Sequence, residues 1–151
     1  MREHFVFQRT VAAGLSAILL VGCGQGGLDR RVVTGRVTFA GQPVEIGEIQ
    51  FYPEGETRGP QTGSQIENGD YRLDVRGGVP VGTHKVRIIG YMNTGRTLTP
   101  QQKAMLPPDM QDANVGQFVQ YIPAKYNRQT ELTVSVESGG GTMTHDFELT
   151  P

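Results

Sequence analysis

Between Arg31 and Phe39 the residues Val33, Gly35, Val37 and Phe39 alternate with Thr34, Arg36 and Thr38. A period of two puts the first set on one buried face of a strand. Ala40-Gly41-Gln42-Pro43 then turns the chain, and Ile49 and Phe51 alternate with Glu48, Gln50 and Tyr52 before Pro53 removes a ladder donor and ends the run. Ile66 precedes Asn68-Gly69, the pair best suited to a tight hairpin because both positions tolerate positive φ, and Tyr71, Leu73 and Val75 supply the inner face of the return strand. After the turn at Val79-Pro80-Val81-Gly82, the stretch Thr83 to Tyr91 sets Val86, Ile88 and Gly90 against Lys85 and Arg87. Leu132, Val134 and Val136 form one more run, Phe147 and Leu149 the last, with Gly139-Gly140-Gly141 as the turn between. Seven short strands with turns at close intervals predict an all-β fold, a seven-stranded antiparallel sandwich over residues 30–151.

Residues 93–121 do not follow that pattern. Some 29 residues separate two strands there, more than an unstructured loop normally spans. Thr99-Pro100 has the form of a cap and first turn, Gln101 to Leu106 is long enough for a short helix, and Pro107-Pro108 stops it. Met105, Met110, Val115, Phe118 and Val119 are its apolar residues. Two readings follow: an insertion folded back over an open end of the sandwich, which is the one expected, or an adaptable surface shown to a partner.

The beginning of the chain has a different character. Arg2 and Arg9 precede an apolar run from Val11 to Leu20, about half of the ~20 residues that a membrane-spanning helix needs. Residues 1–22 therefore read as an export signal. The string Leu20-Val21-Gly22-Cys23 resembles the lipobox of bacterial lipoproteins, in which the cysteine thiol takes a diacylglyceryl group and the leader is cut just before it. The resemblance implies lipid attachment at Cys23 and a chain held on a bacterial membrane, facing the periplasm or the cell surface. Residues 23–29, with Gly24, Gln25, Gly26 and Gly27, would be a flexible tether.

Composition narrows the function classes. Glycine fills 21 of 151 positions and proline 9, which suits short strands joined by many turns. With 14 Lys and Arg against 15 Asp and Glu, scattered rather than blocked, there is no basic face for a nucleic acid. One cysteine excludes an internal disulfide. Cofactors and metals find no motif: no His-x-His, His-x-x-x-His or Cys-x-x-Cys spacing occurs.

Histidines are the first residues to test for catalysis. His84 falls in register with Val86 and Ile88, and His145 with Phe147 and Leu149, so both are expected to be packed rings with satisfied nitrogens rather than bases. Asp70 and Asp74, beside Arg72, read as a solvated strand face rather than a calcium loop. The three glycines at 139–141 lack the Lys-Ser/Thr and helix of a phosphate cradle. Tyr52, Tyr91, Tyr121 and Tyr126 are the aromatic residues on which a sugar could stack, in a chain without Trp.

Three strings together carry a wider resemblance. Val33-Thr34-Gly35-Arg36-Val37-Thr38-Phe39 with Gly41-Gln42-Pro43, then Glu67-Asn68-Gly69-Asp70-Tyr71, then Pro80-Val81-Gly82-Thr83-His84-Lys85-Val86, resemble the carboxypeptidase regulatory-like domains of the transthyretin-like superfamily. Ile122-Pro123-Ala124-Lys125-Tyr126-Asn127 with Leu132-Thr133-Val134 and Phe147-Glu148-Leu149 is similar to small single-domain bacterial lipoproteins of that superfamily. The resemblance implies a Greek-key sandwich. Hydroxyisourate hydrolases of that fold carry a Tyr-Arg-Gly-Ser string that is absent here. The expectation is a non-catalytic module with a binding or structural role in the cell envelope, whose partner is an envelope protein, a peptide or a glycan.

Overall fold

The computed structural model of the chain describes residues 27–111 and 116–151. The predicted leader 1–22, Cys23 as the expected lipid-attachment residue, the first residues of the expected tether and Val115 lie outside them. Among the described residues no helix is long and apolar enough to cross a membrane.

The structure is all-β. Strand β1 (Arg30–Phe39) buries Val33 and Val37 completely, as its alternation predicts, and is followed by the short β2 (Gln42–Pro43) and by β3 (Ile46–Pro53), where Ile49 and Phe51 are buried. Strands β4 (Thr62–Glu67) and β5 (Asp70–Leu73) form the predicted hairpin. Its loop is the two residues Asn68 (φ 53°) and Gly69 (φ 88°), both left-handed, with Glu67 opposite Asp70. Next come β6 (Val79–Pro80), the long β7 (Gly82–Thr97), β8 (Gly116–Gln120), β9 (Thr133–Val136), β10 (Thr142–Thr144) and β11 (Phe147–Leu149).

Hydrogen bonding runs β10-β1-β5-β4-β3-β7-β8, with β2, β6 and β11 also on β1 and β9 on β7. The apolar faces of β1, β3, β5 and β7 turn onto one shared core. Phe51 stands near its middle, with the Phe147 ring edge-on at 6.4 Å and the His84 ring at 6.0 Å.

Four expectations need correction. Among the described residues there are eleven strand segments rather than seven, and not all are antiparallel: β10 and β11 run parallel to β1, in registers Val32 to Thr142 and Val37 to Phe147. The glycines at 139–141 consequently form no hairpin turn. They carry the chain across from β9, which pairs with β7, to β10, which pairs with β1. Val75 is not an inner-face residue; β5 stops at Leu73, Arg76 to Gly78 all have positive φ, and the turn leaves Val75 61% exposed.

The fourth correction concerns 93–121. Strand β7 continues through Asn93 to Thr97, and β8 pairs with it from Tyr91 opposite Gln120 to Thr97 opposite Gly116, so much of the segment is a hairpin growing out of the sheet. The helical turn exists but is shorter than expected, α1 being Pro100–Ala104, capped reciprocally by the Thr99 hydroxyl on the Gln102 amide and the Gln102 side chain on the Thr99 amide. The described apolar residues do not fold back to cover an end of the sheet. Met105 is 87% exposed, and Met110, Phe118 and Val119 are also exposed.

Candidate functional site

The alternation along β7 positions the site. His84, Val86, Ile88 and Gly90 point into the core, so Arg87, Ile89 and Tyr91 face outward until the strand leaves the body of the sheet. At that point Tyr91 meets two other elements. Phe39 stands at the end of β1, where Ala40 and Gly41, both at positive φ, reverse the chain into β2, and Tyr121 follows β8 directly. Gly90 permits the approach of the latter: a Cβ there would stand 2.8 Å from Ile122 and 3.2 Å from the Tyr121 ring.

These residues line a groove of about 460 Å³. Phe39 and Tyr121 line it with their rings edge to face at 5.6 Å and 71°, Tyr91 lines it as well, and Gln42, Glu45 and Asn93 supply polar groups. Burial, reinforced by the nearby negative charge of Glu45, raises the pKa of the Tyr121 phenol above its ordinary value. At neutral pH it remains a hydrogen-bond donor. Concave aromatic surface with a few polar groups at its margin suits a ligand that has both apolar faces and hydroxyls.

Among the four tyrosines predicted as stacking residues, the fold brings together Tyr91 and Tyr121. The Tyr52 hydroxyl donates to Gln50 Oε1 at 2.5 Å, on the face of β3. Tyr126 acts as a clamp near the last residues: its hydroxyl accepts from the Thr150 amide at 3.0 Å and lies 3.1 Å from the Thr150 hydroxyl. Phe39 was read only as a strand residue. Its place beside a Gly-containing turn marks a strand end, where one side chain can leave the core and line a groove.

The two histidines are far apart in role. His145 is half-buried, its ring edge-on to Phe147 at 4.8 Å, and its carbonyl accepts the Tyr71 hydroxyl at 2.6 Å. His84 is fully buried, but only one of its nitrogens is satisfied, contrary to expectation: Nδ1 lies 3.1 Å from the Gly82 carbonyl, whereas Nε2 has no partner. Asp70 and Asp74 are on the solvated face as expected, paired with Arg36 at 3.1 Å and Arg72 at 2.7 Å. No group of three His, Cys, Asp or Glu among the described residues is arranged to hold a metal.

Burial pushes the His84 pKa below its ordinary 6.5, the Gly82 carbonyl acting weakly in the other direction. Above pH 6.5 the ring is neutral folded or unfolded and adds no pH dependence. Below it the unfolded chain binds a proton that the folded chain resists, so stability decreases as the pH is lowered, at most by about 1.4 kcal/mol per unit. His84→Phe is expected to remove that share of the acid slope and, since Nε2 no longer needs a partner, to raise stability at neutral pH by about 1 kcal/mol. Urea unfolding of both proteins on either side of pH 6.5 measures this. Parallel curves would contradict it.

No family model matches the sequence, and no curated protein does. Among solved structures the chain is similar to a 9R-lipoxygenase from Cyanothece PCC8801, at 14% identity and a TM-score of 0.33, over 82% of this chain and 16% of that one. The chain thus spans about a sixth of that protein's length, and neither fold nor activity is carried over from it.

Proposed function

We propose that the chain is a lipid-anchored envelope protein carrying a non-catalytic, transthyretin-like Greek-key sandwich, and that it binds a glycan in the groove over Phe39, Tyr91 and Tyr121. The fold part is supported by strand order. Strands β3, β4 and β5 follow one another antiparallel and β7 returns to the far side of β3, the order β7-β3-β4-β5 of a Greek key. The anchor is supported by the lipobox-like string ending at Cys23.

The observation that carries the binding role is the groove itself. Three aromatic residues from three separate parts of the chain line it, Phe39 and Tyr121 at the edge of the core and Tyr91 outside it. Sugar rings present C–H faces to aromatic surface and hydroxyls to amides and carboxylates, and Gln42, Glu45 and Asn93 stand where such groups would be. Both described histidines are committed to packing, which favours binding over turnover.

The lipidated protein in detergent, titrated with oligosaccharides released from the bacterial envelope, should show saturable changes in tyrosine fluorescence. Tyr91→Ala should weaken binding about tenfold, the loss of one stacking surface. If no oligosaccharide gives saturation, the glycan reading falls.

A further inference from the structure

A second cavity opens on the other side of Tyr91. It measures about 300 Å³ and is lined by Arg87, Ile89, Tyr91 and Gln120 together with Ala124, Asn127 and Arg128, with no carboxylate among them. Two arginines in so small a space repel one another and call for a counter-charge. The ion pairs among the described residues are Arg36–Asp70, Arg72–Asp74 and Lys85–Glu54, and neither arginine takes part in one. On the same face of the sheet Glu48 stands opposite Ile89, its Oε2 accepting from Gln50 at 3.5 Å, and the β7–β9 register continued past Lys85–Thr133 sets Glu131 opposite Arg87; neither carboxylate forms an ion pair with the two arginines.

Arg87 is held in this state by its strand. It lies opposite Gln50, whose side-chain oxygen already accepts from Tyr52, and its Nε is shielded from solvent with no hydrogen-bond partner. Arg87 also lines the cavity, so an anion seated there would answer its charge. The opposite wall is rigid for a separate reason. Asn127, buried, donates to the Ile122 and Pro123 carbonyls at 2.9 and 3.0 Å and accepts from the Arg128 amide at 2.7 Å, which fixes where Arg128 leaves the main chain. The Gln120 amide is likewise tied, to the Ile122 carbonyl. The free donors facing the cavity are thus the two guanidinium groups and the Tyr91 phenol.

We propose that this cavity is an oxyanion site, taking a carboxylate or phosphate group carried on an acidic sugar. The oxyanion part stands on the two arginines alone; the sugar that carries it rests on the glycan reading of the adjoining groove, since Tyr91 lines both. Guanidinium groups bind carboxylate and phosphate through paired charge-assisted hydrogen bonds, which fits Arg at both positions.

The test uses the lipidated protein in detergent, titrated with inorganic phosphate, acetate, glucuronate and glucose at constant ionic strength in chloride, with the arginine Nε resonances followed by NMR. Saturable shifts of Arg87 Nε with phosphate, acetate or glucuronate, and none with glucose, are expected. Arg128→Gln, an exposed change that leaves the fold intact, should weaken binding about tenfold or more, and Arg72→Gln on β5 should not. Glucuronate bound more tightly than acetate, and weakened by Tyr91→Ala, supports the sugar. Equal binding of the two acids keeps the oxyanion site and removes the sugar. Shifts no larger than chloride alone produces, or wild-type binding by both Arg87→Gln and Arg128→Gln, overturn the site.

Discussion

Protein isolated from bacterial membranes is expected to begin at Cys23 and to carry two or three acyl chains, seen as added mass on its first peptide. The expectation rests on the apolar run that stops at Leu20 and on Cys23 being the single cysteine of the chain. Each buried methylene contributes about 0.8 kcal/mol, so one acyl chain holds reversibly and a second makes attachment lasting. A protein starting at Gly24 should accordingly move to the aqueous phase of a detergent partition, a loss of membrane affinity by more than about a thousandfold. No described helix is apolar and long enough to span the bilayer. An unmodified Cys23 peptide from membranes, or unchanged partitioning without Cys23, would contradict the anchor.

Gly35→Ala is expected to destabilise the domain by about 3 kcal/mol, a large share of the ~5 to 15 kcal/mol that holds a domain of this size together. The reason lies in how β1 receives the end of the chain. Between β10 and β11 the parallel pairing is interrupted at His145 and Asp146, where the Asp146 side chain, in place of a carbonyl, accepts from the Arg36 amide at 2.7 Å. The His145 carbonyl instead turns inward, so a Cβ at residue 35 would stand 1.8 Å from its oxygen and 2.6 Å from its carbon. Retreat of that carbonyl would break the 2.8 Å bond from the His145 amide to the Thr34 carbonyl and the 2.6 Å bond from the Tyr71 hydroxyl. Two lost bonds at about 1 kcal/mol each, added to a steric clash, give the predicted size. Gly140→Ala is the control. A Cβ there meets nothing within 4 Å, so urea unfolding should change by no more than about 0.5 kcal/mol. Equal stability of the two variants would mean that the approach at Gly35 is not tight.

Local chemistry by itself was enough to determine seven of the eleven described strands, because period-two burial and turn residues act within a few positions. Val33 and Val37, Ile49 and Phe51, Tyr71 and Leu73, Val86 and Ile88, Val134 and Val136, and Phe147 and Leu149 are all buried as their alternation requires. The Asn68-Gly69 hairpin and the Thr99 cap formed for the same reason, each needing only its own backbone angles and one neighbouring amide. What the pattern could not convey was which strand lies beside which. Phe147 and Leu149 read the same whether β11 runs parallel or antiparallel to its neighbour, and only the crossing after β9 made it parallel to β1. For residues 93–121, high polarity and a proline pair masked strands whose one-sided ladder runs along a neighbour without burying a face, so periodicity carried no signal. Both candidate sites belong to that same class of information. Phe39, Tyr91 and Tyr121, like Arg87 and Arg128, are scattered along the sequence, and only the pairing of β7 with β8 and the turn held by Asn127 bring them to common walls.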